Sequence, residues 1–409
     1  MSKTTRYVII GGGQAGGQAA ITLRDAGFDG EIVLIGEEPL APYERPPLSK
    51  AYLTDESVQR QEFRPLAAYA AVYIDCRFGR RVVLLDAGRK TLTLSDGKVL
   101  HWDKLLLATG GSPRRMKYAN GPVHYLRTEA DALALRTPMR KASKVVVIGG
   151  GVIGLEVAAS ARQLGASVTV VEPAERMMAR MIPMEISRLM EQLHRDHHVD
   201  LRVGTSAHAI DATADGGAEV HLSESTLRAD LVIVGIGIIP NTELAETAGL
   251  PVDNGILVDG CGRTAHPDIY AAGDVANSES SRYGQRIRLE SWQNATRQAE
   301  LAARAMCGED IVHDDVPWFW SDQFDVNLQV AGLPHLADRT VFRGGRDPAH
   351  GVTAFHFAKE RLIAVTTLNN ARDMGIGRRL LSNNVQVTAE GLIDESIPLR
   401  RWLKVSTPA

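Results

Sequence analysis

The chain has 409 residues, 44% hydrophobic and 23% charged, with a formal net charge of -3. That length predicts about two or three domains and enough buried surface to make a disulfide framework unnecessary. The near-neutral charge excludes a general pull toward nucleic acid or anionic membrane. Three scattered cysteines without a CxxC pair (Cys76, Cys261 and Cys307) exclude a zinc site or sequence-local redox disulfide and suit a reducing compartment.

The opening "MSKTT" leads straight into the apolar "YVII", too short for the core of a secretory signal. "RYVII" reads as a strand. Gly11, Gly13 and Gly16 follow it with GxGxxG spacing, and then comes a helix that stops at Gly27. "EIVLIGEE" is a second apolar strand ending in acids, which completes a βαβ unit of a parallel sheet. Residues 57–75 read as partly helical. "RRVVLLDAGRKTLTLSDGKVLHWDKLLLATGG" reads as hairpin material with turns at "DAGRK" and "SDG".

A second βαβ unit begins at Lys144, with "KVVVI", then Gly149, Gly151 and Gly154, then "SVTVVEPAER" as its second strand. A helix is expected at "PMEISRLMEQLHRDH", and strands at "VDLRVG", "AEVHLS" and "LVIVGIG". The run "LVIVGIGII" is the longest apolar stretch, about half of a membrane span, and reads as a buried strand with its turn. Short strands return at "GILVDGCGRTAHPDIYAAGDVA". From Trp318 the pattern becomes that of an antiparallel sheet with helices packed on it, without a glycine fingerprint. The expected location is the cytoplasm.

Each glycine in such a fingerprint has a separate task. The first makes the tight strand-to-helix turn, the second lets backbone approach a pyrophosphate, and the third lets helix and strand pack closely. The helix N-terminus then offers free N–H groups and partial positive charge. An acid ends the second strand of each unit, Glu37 and Glu172, where the adenosine ribose is bound. One GxGxxG is a weak signal, but two with matching acids point to two dinucleotides. Electron transfer between them, from a nicotinamide to a flavin, is a natural reason to hold both.

Several motifs then carry a resemblance: "PYERPPLSK", "LATGG", "YLRT", "IGGGVIGLE", "GIGIIPN", "AAGDVA" and "PWFWSDQ". In this order they cover nearly the whole chain. The chain resembles the NADH-dependent ferredoxin reductases of bacterial Rieske oxygenase and cytochrome P450 systems. This is the putidaredoxin reductase and biphenyl dioxygenase ferredoxin reductase family, within the glutathione-reductase structural class. The resemblance implies an α/β fold with two Rossmann-like dinucleotide-binding domains plus a C-terminal α+β domain. The expected FAD domain is split, residues 1–112 and 244–316. The NADH domain is residues 113–243 and the C-terminal domain residues 317–409.

By the same resemblance FAD is held by Gly11, Gly13, Ala15, Gly16, Glu37, Arg45, Lys50, Val82, Arg127, Asp274 and Trp292. Glu37 takes the ribose hydroxyls, Val82 the adenine through its backbone, and Asp274 the ribityl chain. The plainer reading of Asp274 is a helix N-cap. NADH falls to Gly149, Gly151, Gly154, Glu172 and Gly237. Glu172 favours NADH, because a carboxylate binds ribose hydroxyls and repels a 2′-phosphate; Arg176, four residues on, complicates that preference.

The resemblance pairs Lys50 with Glu156 beside the flavin ring. Lys50 serves the N5 edge and Glu156 orients it and flanks the nicotinamide; the plainer readings are a surface lysine and a helix-dipole glutamate. Trp320 corresponds to an aromatic near the flavin, or else is a core tryptophan in "WFW". The region "PYERPPLSK" carries no cysteine, so electrons are expected to leave without a thiol, to a [2Fe–2S] ferredoxin that serves a Rieske oxygenase or a cytochrome P450. Arg372, Arg378, Arg379, Arg400, Arg401 and Lys404 either steer such an acidic partner or form an ordinary solvated face. No metal, nucleic acid or membrane is expected. Rival readings are a rubredoxin, monodehydroascorbate or oxygen reductase, and a redox-sensing flavoprotein resembling the apoptosis-inducing factors.

Overall fold

The run Arg6–Ile10 sends Tyr7 and Ile9 to one face of its strand and Val8 and Ile10 to the other, and both faces are buried. It therefore sits at the centre of a parallel sheet covered on both sides. In the computed structural model, residues 4–311 and 315–404 are described. The chain divides into two compact units. The first is Met1–Glu44, Arg60–Ser112 and Ile238–Asp315; the second is Arg45–Gln59, Pro113–Gly237 and Val316–Ala409.

In the first unit the parallel sheet has five strands. Their order is Ile269–Ala271, Lys104–Leu107, Arg6–Ile10, Glu31–Gly36 and Ile74–Phe78. The chain leaves Arg6–Ile10 toward one side and later returns on the other. This is the reversal of strand order at which α/β sheets bind ligands, beyond their carboxyl ends. One face packs on the alanine-rich helices Gln14–Asp25 and Trp292–Met306, through Ala19, Ala20, Ala299 and Ala302. The other face meets Leu85, Leu92 and Trp102, from or beside a three-stranded antiparallel sheet formed by Val82–Asp86, Thr91–Leu94 and Val99–His101. The hairpin reading holds for those three strands and fails for "KLLL". Lys104–Leu107 pairs parallel with Arg6–Ile10 and with Ile269–Ala271, because its three leucines are buried on both faces. Between residues 57 and 75 only Leu66–Ala71 is a helix, and a strand opens at Ile74.

The second unit repeats the plan. Its five parallel strands are Val199–Arg202, Ser167–Val171, Lys144–Ile148, Leu231–Val234 and Val123–His124. The helix Val152–Gln163 follows the second fingerprint. The same unit contains a five-stranded antiparallel sheet, in the order Trp318–Gln323, Val326–Gly332, Arg361–Leu368, Val352–Ala358 and Arg339–Arg343. The helix Ala371–Ser382 covers one of its faces with Met374, Ile376, Leu380 and Leu381. The segment Arg45–Gln59 also belongs to this unit. Arg136 binds it by donating to the carbonyl oxygens of Tyr52 and Val58 while its guanidinium lies 3.9 Å over the Tyr52 ring. Among the described residues, no helix is long and apolar enough to cross a membrane.

Candidate functional site

The two fingerprints have the same internal wiring. Gly11 N–H donates to Ile35 at 2.8 Å, and Gly149 N–H to Val171 at 2.8 Å. Gly11 and Gly149 both have positive φ, 122° and 109°. A Cβ on Gly11 would sit 2.0 Å from the Ala108 oxygen, and one on Gly149 2.4 Å from that of Gly235. On Gly16 it would meet the Gly11 oxygen at 1.8 Å, and on Gly154 the Gly149 oxygen at 2.0 Å. The first and third glycines are therefore demanded by the chain's own packing.

The middle glycines behave differently. A Cβ on Gly13 or Gly151 would have no atom within 4 Å. Each is the N-cap of a 12-residue helix and offers no side chain to the first-turn N–H groups. Glycine here answers to no atom of the protein. It leaves open space in front of uncapped donors at the positive end of a helix, which is what a pyrophosphate needs. Both turns thus fit a dinucleotide.

The acids differ more than the turns. Glu37 stands at the end of its strand with its carboxylate 72% exposed, 3.8 Å from Arg81. Val82, next to Arg81, is buried at the start of its strand. Glu172 is held by the protein itself: Gly150 N–H donates to Oε2 at 2.7 Å and Ala174 N–H to Oε1 at 2.9 Å. Both oxygens keep a lone pair for ribose hydroxyls. Arg176 does not reach toward that place as its sequence position suggested, since it donates to the carbonyls of Ile182 and Ala179.

Asp274 is not an N-cap. It lies in the turn between the strands Ile269–Ala271 and Ala276–Ser280, and no helix follows. Gly273 beside it has φ 84°, and a Cβ there would lie 3.1 Å from that of Ala15, so the turn abuts the first fingerprint helix. Trp292 opens the helix Trp292–Met306 of the same unit. Arg45 belongs to the second unit and donates to the Arg127 carbonyl at 2.6 Å. Gly237 has φ 95°, and its carbonyl accepts from Arg114 N–H.

Lys50 and Glu156 form an ion pair. Lys50 Nζ lies 2.9 Å from Glu156 Oε2 and donates to the Pro46 carbonyl at 2.9 Å. Glu156 is 2% exposed. Ser49 Oγ donates to Oε2 at 2.5 Å and Ser321 Oγ to Oε1 at 2.7 Å. Pro46 and Pro47 set the short 3-10 turn Pro46–Ser49 that presents the lysine, and Ser160 ties the turn to the fingerprint helix by donating to the Ser49 carbonyl. The surface-lysine and helix-dipole readings fall together, because a buried carboxylate with three donors is a built feature. Ser49 and Ser321 lay inside quoted motifs, but their partner is revealed only by the fold.

Trp320 is half-buried and stacks on Trp318, with centroids 5.1 Å apart. Arg378 lies over the Trp318 ring at 4.8 Å. Arg372, Arg379, Arg400, Arg401 and Lys404 are exposed. All three thiols are unpaired, and burial raises the pKa of each, that of Cys76 to about 11. They are protonated near neutrality and poor nucleophiles.

Residues 5–299 match the family described as pyridine nucleotide-disulphide oxidoreductase, and residues 318–403 a reductase C-terminal family. The anthranilate 1,2-dioxygenase system ferredoxin–NAD(+) reductase component of Burkholderia cepacia is 42% identical, over 97% of this chain and 99% of that one. Rhodocoxin reductase of Rhodococcus erythropolis is 43% identical, over 96% of this chain and 93% of that one. Among solved structures, the covalent putidaredoxin reductase–putidaredoxin complex matches with a TM-score of 0.93 and 38% identity, over 98% of this chain and 99% of that one. Two turns that fit dinucleotides and a matching C-terminal domain agree with these likenesses. The chain belongs to the pyridine nucleotide-disulphide oxidoreductase family, with the ferredoxin reductases that carry a reductase C-terminal domain.

Proposed function

We propose that this chain is a cytoplasmic NADH:ferredoxin oxidoreductase, carrying electrons from NADH through FAD to a ferredoxin that serves a Rieske oxygenase or a cytochrome P450. The observation that carries the reading is the doubled turn, each copy with an open middle glycine before an uncapped helix. FAD, when bound, supplies the conversion between the two-electron chemistry of a nicotinamide and the one-electron chemistry of an iron–sulfur carrier.

The residues divide the work. The N–H groups at the starts of Gln14–Asp25 and Val152–Gln163 bind the two pyrophosphates. Glu37 and Asp274 bind FAD through its hydroxyls, and Glu172 binds the NADH ribose. A 2′-phosphate would set a second anion against the fixed Glu172 carboxylate. Lys50, its ammonium fixed by Glu156, would supply positive charge to a bound flavin ring. Trp320 shapes the outward step to ferredoxin.

The test is anaerobic. The FAD-loaded protein is mixed with NADH and a [2Fe–2S] ferredoxin, and ferredoxin reduction is followed by its visible absorbance. Turnover with NADH well above that with NADPH is expected. In a parallel run under air, fast NADH oxidation with no ferredoxin reduction in either run would replace this reading with an oxidase.

A further inference from the structure

Behind the carboxylate of Glu156 stand a serine, a glutamine and a histidine. Ser321 and Gln323 lie two residues apart on the strand Trp318–Gln323 and so share a face. Both are fully buried, as is His194 on the helix Met184–Asp196. Ser321 Oγ donates to Glu156 Oε1 at 2.7 Å, Gln323 Nε2 donates to Ser321 Oγ at 3.0 Å, and His194 Nε2 lies 2.8 Å from Gln323 Oε1.

The direction of every bond follows from one end. A carboxylate only accepts, so the single Ser321 proton goes to Glu156. Ser321 Oγ can then only accept from Gln323, which must present its amide nitrogen. Gln323 Oε1 is left facing His194, whose Nε2 must carry the imidazole proton. His194 has one such proton, because burial lowers its pKa to about 4. Its Nδ1 is buried with no hydrogen-bond partner among the described residues. Leaving a buried acceptor unpaired is destabilising. An apolar residue at this place would leave no acceptor unpaired, and would also give Gln323 Oε1 no donor.

We propose that Gln323, set by His194, is a positioning residue for the Lys50–Glu156 pair: by donating to Ser321 Oγ it anchors the hydroxyl that donates to Glu156 and so fixes the plane of the carboxylate that holds Lys50. The proposal rests on the reading of Lys50 as the cation of the NADH reaction, but its first readout does not.

That readout is the reactivity of Lys50. FAD-loaded protein is reductively methylated, and modification of Lys50 is quantified by peptide mass spectrometry. Ser321→Ala and Gln323→Met (which keeps side-chain length) should each raise Lys50 modification several-fold. The same variants should slow reduction by NADH roughly tenfold, with the KM for NADH within about twofold. The double variant should be no worse than the worse single, because Gln323 acts through Ser321. Should Gln323→Met fail to fold, Ser321→Ala must show the loss and Ser321→Thr, which keeps the hydroxyl, must restore it. Unchanged Lys50 modification, or losses that multiply in the double variant, would overturn the proposal and leave Gln323 a packing residue. Protein that reduces no ferredoxin yet shows the predicted Lys50 modification would keep the network and sink the functional reading instead.

Discussion

Gln18 and Glu156 hold the same place on the two fingerprint helices, two residues past Gly16 and Gly154. Four residues further along stand Thr22 and Ser160. In the first helix these side chains serve each other, Gln18 Nε2 donating to Thr22 Oγ1 at 3.1 Å. In the second they reach out to the turn Pro46–Ser49 and its lysine, Glu156 holding Lys50 and Ser160 holding the Ser49 carbonyl. The backbone turn is the same device twice, but only the second helix also carries a buried charge. The glycine turn is common to both helices, whereas the ion pair to Lys50 is made from the second alone.

The comparison breaks most sharply at Glu156. Glu156→Ala removes an acceptor shared by Ser49, Ser321 and Lys50, which keeps only the Pro46 carbonyl. Losing the charged hydrogen bonds to that buried acceptor costs about 1.5–3 kcal/mol. Gln18→Ala removes one intrahelical hydrogen bond, worth about 0.5–1.5 kcal/mol. Urea unfolding of the two variants should show that ranking, and equal losses would mean that the ion pair contributes little.

The two units should also fail at opposite ends of the pH scale. The second buries two neutral histidines, His194 with its pKa lowered to about 4 and His356 lowered to about 3, both by desolvation. Below pH 6.5 the unfolded chain takes up protons that the folded one refuses, so stability falls as pH drops from about 6.5 toward 4, by a few kcal/mol in all. The first unit holds one buried and two half-buried thiols instead. Cys76 is raised to about 11, and Cys261 and Cys307 are raised as well, chiefly by desolvation. Above pH 9 the unfolded chain loses protons first, so that unit weakens with rising pH. Hydrogen exchange read peptide by peptide at pH 5 and pH 10 should locate the first openings in different units.

A smaller contrast concerns the two acids. Glu172 is immobilised by two backbone N–H groups, whereas Glu37 stands in solvent. A charged hydrogen bond from a fixed group retains more of its value, about 1.5–3 kcal/mol, or roughly ten- to a hundredfold in affinity. Glu172→Ala should weaken NADH binding by that factor. Glu37→Ala should raise the FAD dissociation constant by about tenfold or less. Titration of each variant decides the order, and NADPH turnover equal to that with NADH in the unaltered protein would contradict the role given to Glu172.

What could be read in advance was local. The parallel strands announce themselves by runs apolar on both faces, and the turns by glycines that the backbone demands. "KLLL" misled because its neighbours are hairpin strands, and only its burial on both faces moves it to the central sheet. The support for Glu156 was not legible, because Ser321 is 165 positions away and His194 meets Gln323 across 129. No periodicity encodes such a meeting. The three thiols illustrate the same limit: their spacing excluded a local pair, whereas their low reactivity depends on burial, which belongs to the fold.

Trp320 tests whether the outward step also has its own residue. Hydride transfer requires the nicotinamide near the flavin, the step for which Lys50 and Glu156 are proposed. Transfer to ferredoxin needs a short path and a docked partner. Trp320 is half-buried against Trp318, so Trp320→Phe keeps much of the packing and should cost less than about 1.5 kcal/mol of stability. If the indole shapes the outward path, stopped-flow mixing should show ferredoxin reduction slowed more than reduction by NADH. A tryptophan that only fills the core changes neither. One that stacks on the nicotinamide slows the NADH step first. An unchanged ferredoxin step in the folded, FAD-loaded variant would remove Trp320 from the outward path and return it to the stack with Trp318.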